Sequence, residues 1–227
     1  MTTIAVGGET LVLLPERAAW VPAHGTLLVA DAHIGKAVSF RGLGVPVPRG
    51  TTAATLEALG ALVARLGARR VVFLGDLLHS ARARRAAGTL AVVERWRAQH
   101  ASLQLVLVRG NHDARAGDPP ARWGIDVVDA PLALGGLRLS HHPQPAAGGY
   151  VLAGHLHPGV ALSGGARDHL RLPCFWFGRS VGVLPAFGAF TGLMPVRAQA
   201  GDRLFAIADD RVMEVPPPVV ERLAVPD

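Results

Sequence analysis

The feature that most constrains this chain is a recurring junction in which a short apolar run, readable as a buried strand, stops in polar side chains able to bind metal. TLLVA (26–30) runs into Asp31 and His33, RVVFLG (70–75) into Asp76 and His79, and LQLVLVRG (103–110) into Asn111, His112 and Asp113. Further on, LRLS (137–140) meets His141 and His142, and YVLAG (150–154) meets His155 and His157. Burying such groups without partners costs on the order of a few kcal/mol each. Turn chemistry accounts for any one of them, because Asp and Asn suit turns and a lone His is ordinarily a surface or hydrogen-bonded core residue. It does not account for five strand ends in succession, since turns favour Gly, Ser and Pro and have no use for so many imidazoles.

The first half alternates strand and helix. Residues 2–22 read as two short strands joined at GGET, and TLLVA as a third. Leu56, Leu59, Val63 and Leu66 recur at helical spacing between Thr51 and Gly67, which is a plausible stop signal. A second helical stretch is expected from about Ala83 to His100. Strand, helix, strand, helix, strand implies parallel β-α-β units. After residue 130 the helices fade, and 137–140, 150–153, 170–177, 180–184 and 203–215 read as strands. The expected fold is α/β, a two-sheet sandwich in one domain over 1–227, mixed in its first half and more antiparallel in its second. In open α/β sheets the working groups gather at the carboxyl ends of strands, where the polar blocks fall.

Composition narrows the class. The apolar residues are dispersed in short runs, so no membrane-spanning helix is expected, and the start lacks the pattern of a signal peptide. A cytoplasmic protein is the expectation, and the single Cys174 suits a reducing compartment. The net charge of +6 is carried almost wholly by arginine, because Lys36 is the only lysine. That balance fits a phosphate-bearing partner and equally a compositional bias of the genome.

Two metal ions would satisfy the whole polar set, Asp31, His33, Asp76, Asn111, His112, Asp113, His141 or His142, His155 and His157. Imidazole nitrogen with carboxylate and amide oxygen suits borderline first-row divalent ions. An Asp-x-His pair can send both side chains to one ion, and a lone Asp76 can bridge two. The absence of clustered cysteines argues against a structural zinc knot. A pair of ions roughly 3.5–4 Å apart is well suited to in-line displacement at phosphorus.

In that order DAH, GDLLH, GNHD, an isolated His and GHLH resemble the motif set of the calcineurin-like metallophosphoesterase superfamily, over residues 31–157. The resemblance implies a four-layered β-sandwich, two mixed sheets flanked by helices, with a dinuclear site. Carried over by position, Asp31, His33 and His157 hold the first metal, Asn111, His141 and His155 the second, and Asp76 bridges them. His141 is taken over His142 for its distance from LRLS. His112 then faces the substrate as a catalytic residue, and Asp113 orients its ring. A narrower likeness runs nearly end to end. DAHIGKAVSFRGLGVPVPRG, GDLLHSAR, LVRGNHD, the HHP and GHLHP pairs, PCFWFG and LPAFGAFTG resemble bacterial ligase-associated DNA damage response endonucleases. It implies a DNA nuclease using manganese, with magnesium, zinc or iron as alternatives, and acting with a DNA ligase and a helicase in repair.

Other residues stay open at this level. Lys36 either approaches a phosphate or is a solvated loop lysine. Arg82, Arg84 and Arg85 either clamp a DNA strand or form a solvated helix face. His79 is placed near substrate outside the ligand set, PCFWFG reads as core strand, and His24, His100 and His169 read as surface residues. The rival functions are the same chemistry on cyclic nucleotides or other small phosphoesters, and a non-catalytic interaction module on the same fold.

Overall fold

The computed structural model describes residues 1–48, 50–163, 169–189 and 191–216, though not the side chains of residues 162, 163 and 169. The surface reading of His169 therefore lies outside the described residues. Seven strands hydrogen-bond in chain order to form the first sheet: β1 (Thr2–Val6), β2 (Glu9–Leu14), β3 (Ala18–Val21), β4 (Thr26–Val29), β5 (Arg70–Phe73), β6 (Gln104–Val108) and β7 (Ile125–Val128). The first four run antiparallel, and β4 to β7 run parallel. Residues 2–22 thus hold three strands, not two. The extra turn is made at Arg17, whose backbone is left-handed (φ 64) and whose N–H donates to Leu14 O at 3.1 Å. With no Gly or Asn there, the usual sequence signal for such a turn is missing.

Five helices connect these strands: α1 (Lys36–Arg41), α2 (Thr51–Leu66), α3 (Ala81–Arg85), α4 (Ala87–Gln99) and α5 (Asn111–Ala116). Helix α2 stops at Gly67, as expected, in the left-handed conformation. The expected single helix over 83–100 is broken at Ala86, which is extended (φ −69, ψ 118). Ser80 caps α3 by accepting the Ala83 N–H, and the break lets α3 pack on α1 and α5 while α4 packs on α2. Alanine favours helix, so propensity could not reveal the break.

Strand alternation divides the side chains between two cores. Leu27, Val29, Val71, Phe73, Leu105 and Leu107 pack under the helices with Leu56, Leu59, Leu62, Val93 and Trp96. Leu28, Val72 and Val106 face the second sheet, where Leu137, Leu152, Phe175 and Phe205 meet them. The second sheet comprises β8 (Leu132–Leu134), β9 (Leu137–Leu139), β10 (Tyr150–Ala153), β11 (Pro158–Ser163), β12 (His169–Phe177), β13 (Val181–Val183), β14 (Met194–Pro195), β15 (Arg203–Ala208) and β16 (Arg211–Val215). Its order is β14-β11-β12-β13-β10-β9-β8, with β15 joined to β12 and β16 to β15. The PCFWFG segment is core strand, with Phe175 and Phe177 buried. All five α-helices fall between β4 and β7, so among the described residues they flank the first sheet only. The outer face of the second sheet carries a smaller cluster around Cys174 and Leu204. The described layers are therefore helices, sheet and sheet, one fewer than the expected four. No described helix is long and apolar enough to cross a membrane.

Phe175 joins the two sheets, so Phe175→Ala should cost about 3–5 kcal/mol in urea unfolding. A loss below about 1 kcal/mol would show that the inter-sheet core is not close-packed.

Candidate metal centre

Parallel pairing of β4, β5 and β6 places the ends of all three at one edge of the first sheet, and parallel β9 and β10 bring their ends to the same place. Backbone hydrogen bonds lock these ends together. The His33 N–H donates to Asp76 O at 2.9 Å and the Ile34 N–H to Leu77 O at 2.7 Å. Across the sheets, the Phe187 N–H donates to Ala30 O and the Gly188 N–H to Asp31 O. The His155 N–H donates to Asp31 Oδ2 at 2.8 Å.

Of seven described non-glycine residues with positive φ, five lie here: Asp31 (51°), His33 (45°), Asp76 (50°), His155 (73°) and His157 (49°). Left-handed backbone costs a non-glycine residue roughly 1–3 kcal/mol and collects at functional sites. The glycines of GNHD and GHLH serve close approach. A Cβ on Gly154 would sit 2.5 Å from Asp31 Oδ2, and one on Gly110 would run into Asp76 Oδ1 and its backbone N.

Several of these side chains converge. Asp31, His33 and His157 bring ligand atoms within 4.8 Å of one another, as do Asp31, Asp76 and His141. His141 is almost fully buried, and its Nδ1 donates to Leu74 O at 2.9 Å. Its Nε2 then faces Asn111 Oδ1 at 2.9 Å, His155 Nδ1 at 3.1 Å and Asp76 Oδ1 at 3.4 Å. Asp76 Oδ1 already accepts the His112 N–H, so it too brings lone pairs to this point. A divalent cation gives these lone pairs a common partner, which a single proton does not. Asp31 Oδ1 and His33 Nδ1 are likewise buried with no hydrogen-bond partner. The donor set fits a borderline divalent ion.

Electrostatics favour the ligand form of the imidazoles. Burial, reinforced by Lys36 and the neighbouring histidines, pushes His33 down to about 2. Burial likewise pushes His79 down to about 4 and lowers His155. These rings stay neutral and able to coordinate.

One expectation changes, and two open positions are narrowed. Asp113 does not touch the His112 ring; its Oδ1 accepts the Leu78 N–H and its Oδ2 the Gly110 N–H, both at 3.0 Å. The His112 Nδ1 instead donates to His79 O at 2.9 Å, so Asp113 acts on that ring only through the backbone. His79 belongs with the cluster, its ligand nitrogen close to those of His33 and His112. Its place three residues past Asp76 was the available signal. Lys36 is no solvated loop residue; it is half-buried at the start of α1 with Nζ 5.8 Å from the Phe40 ring centre. His142 is exposed beside His141 and His155.

The remaining basic residues divide. Arg82 and Arg85 are exposed, whereas Arg84 Nε donates to Asp118 O at 2.7 Å. His24 pairs with Glu9 at 3.2 Å and His100 stacks on Trp96 at 4.4 Å, both half-buried and not free surface residues.

Gly154→Ala and Gly110→Ala should each weaken divalent-metal binding about 10–100-fold, the scale seen when the groups supporting metal ligands are altered. Calorimetric titration of the folded variants checks this, and wild-type affinity in both would contradict the steric role of these glycines.

No family model and no curated protein matched the chain. Among solved structures, the Pseudomonas putida nuclease MPE is 45% identical over 94% of this chain and 99% of its own, with a TM-score of 0.84. Yfce, a phosphoesterase from E. coli, aligns over 85% of this chain and 98% of its own at 18% identity and a TM-score of 0.42, too distant to argue from. Near-complete alignment at 45% identity means that this chain belongs to the family of the P. putida nuclease MPE.

Proposed function

We propose that this protein is a metal-dependent endonuclease that hydrolyses phosphodiester bonds in DNA at a centre of two divalent ions. The observation that carries this reading is the end-to-end similarity to a nuclease. The convergence of its ligand-type side chains supports it. Asp31, His33 and His157 would hold one ion, Asn111, His141 and His155 the other, and the two oxygens of Asp76 would reach both. Bound there, the ions would supply Lewis-acid polarisation and charge stabilisation at phosphorus.

The chain's own groups do the rest. His112 has its tautomer fixed, because Nδ1 donates to His79 O and Nε2 is left facing the site, 3.9 Å from Asp76 Oδ2. Protonated at Nε2, it would donate to the leaving oxygen as the ester bond breaks. Asp113 holds the Leu78 and Gly110 amides, and so fixes the distance between the loop after β5 and the start of α5. Manganese as the metal, and a repair setting alongside a DNA ligase and a helicase, follow from the resemblance in sequence motifs.

Manganese-dependent hydrolysis of bis-p-nitrophenyl phosphate, beside nicking of supercoiled plasmid at physiological salt, tests the reading. Wild type should cleave both, Asp76→Ala neither, and His112→Ala should lose about 10²–10⁴-fold. Cleavage of the small ester alone would remove DNA as substrate. No hydrolysis with any divalent metal would overturn the enzyme reading.

A further inference from the structure

Beside the metal centre lies an open hollow of about 400 Å³ bounded by Lys36, Phe40, Val45, Pro46, Val47 and Thr191. That volume falls within the range of roughly 300–1,000 Å³ found for small-molecule sites. A row of rings leads to it from the site. His79 stacks on His112 at 5.2 Å and 21°, and Phe40 follows at 5.9 Å from His79. The wall is aliphatic and partly open to solvent, with Val45 44% exposed and neighbouring Leu43 76% exposed. Exposed apolar surface gathered beside a polar reaction centre commonly marks a place where ligand covers it. Pro46 and Pro48 restrict the wall's backbone, so little ordering is left to be done on binding.

Lys36 stands between the hollow and the metal centre. Among the described residues no carboxylate lies within 4.0 Å of its amine, and its Nζ lies against the Phe40 ring. A cation with no such partner, between a phosphoester site and an aromatic-floored hollow, matches a nucleotide. The phosphate meets the cation and the base meets the ring.

We propose that this hollow is a nucleobase subsite, in which Phe40 stacks on the base adjoining the scissile phosphate and Lys36 receives that nucleotide's phosphate. The inference rests on the nuclease reading and adds a base-binding element to it. Stacking tolerates any base, because every base has a π-face. The subsite therefore raises affinity for nucleotide esters over simple phosphodiesters and does not read sequence.

The test compares two diesters with the same leaving group, thymidine 5′-(p-nitrophenyl phosphate) and methyl p-nitrophenyl phosphate, hydrolysed by manganese-loaded full-length protein. Wild type should prefer the thymidine ester in kcat/KM, mainly through KM. Phe40→Ala should cut that preference about 5- to 150-fold, and Phe40→Trp should keep it. Val45→Asp, at an exposed wall position, should also cut it if Phe40→Ala fails to fold. Equal preference in wild type, Phe40→Ala and Val45→Asp would overturn the subsite, as would a wild type with no preference, and in either case the phosphoesterase reading stands. If wild type hydrolyses neither diester, both readings fall.

Discussion

The arrangement turns on the carboxylate of Asp31. It is fully buried at the end of β4, yet it works for both sheets, since Oδ2 accepts the His155 N–H from the loop after β10 while Oδ1 faces His157 Nε2 at 3.5 Å. A buried carboxylate is costly unless it is compensated. Here one oxygen is satisfied by backbone and the other is aimed at the His157 imidazole. The same logic extends to Asp76, whose Oδ1 accepts the His112 N–H at 2.9 Å and faces His141. Backbone amides hold the anions in place, so the remaining lone pairs converge on common points. Five left-handed residues and the missing side chains of Gly110 and Gly154 permit that approach.

Much of this was legible in the sequence, because the two signals involved are local. Apolar runs gave β4, β5, β6, β9 and β10, and the polar blocks that end them gave the residues that meet. Helix α2 showed itself through Leu56, Leu59 and Val63 and through Gly67. What failed was decided by tertiary packing. The break at Ala86 depends on α3 and α4 packing on different neighbours, and the turn at Arg17 uses a residue with no intrinsic preference for left-handed backbone. Helix α5 opens on the GNHD block itself, where its first turn presents amides to the carboxylates of Asp76 and Asp113.

The roles of individual polar groups were less legible still. The family resemblance implied that Asp113 orients the His112 ring, but in a helix adjacent residues point in different directions. Its carboxylate turns back to the Gly110 N–H, in the manner of a capping residue at the third helical position. His79 shows the converse. It was left outside the ligand set, yet its carbonyl fixes the His112 ring and its own ring begins the aromatic row that runs to Phe40. Burial likewise changed the meaning of Lys36, which no charge count could have done.

The most direct measurement is anomalous diffraction at the manganese edge from crystals soaked in Mn²⁺. The proposed dinuclear centre predicts two peaks per chain, one beside Asp31, His33 and His157 and the other beside Asn111, His141 and His155, both within coordination distance of Asp76. A single peak, or two peaks that do not share Asp76, would contradict a dinuclear centre built on these residues.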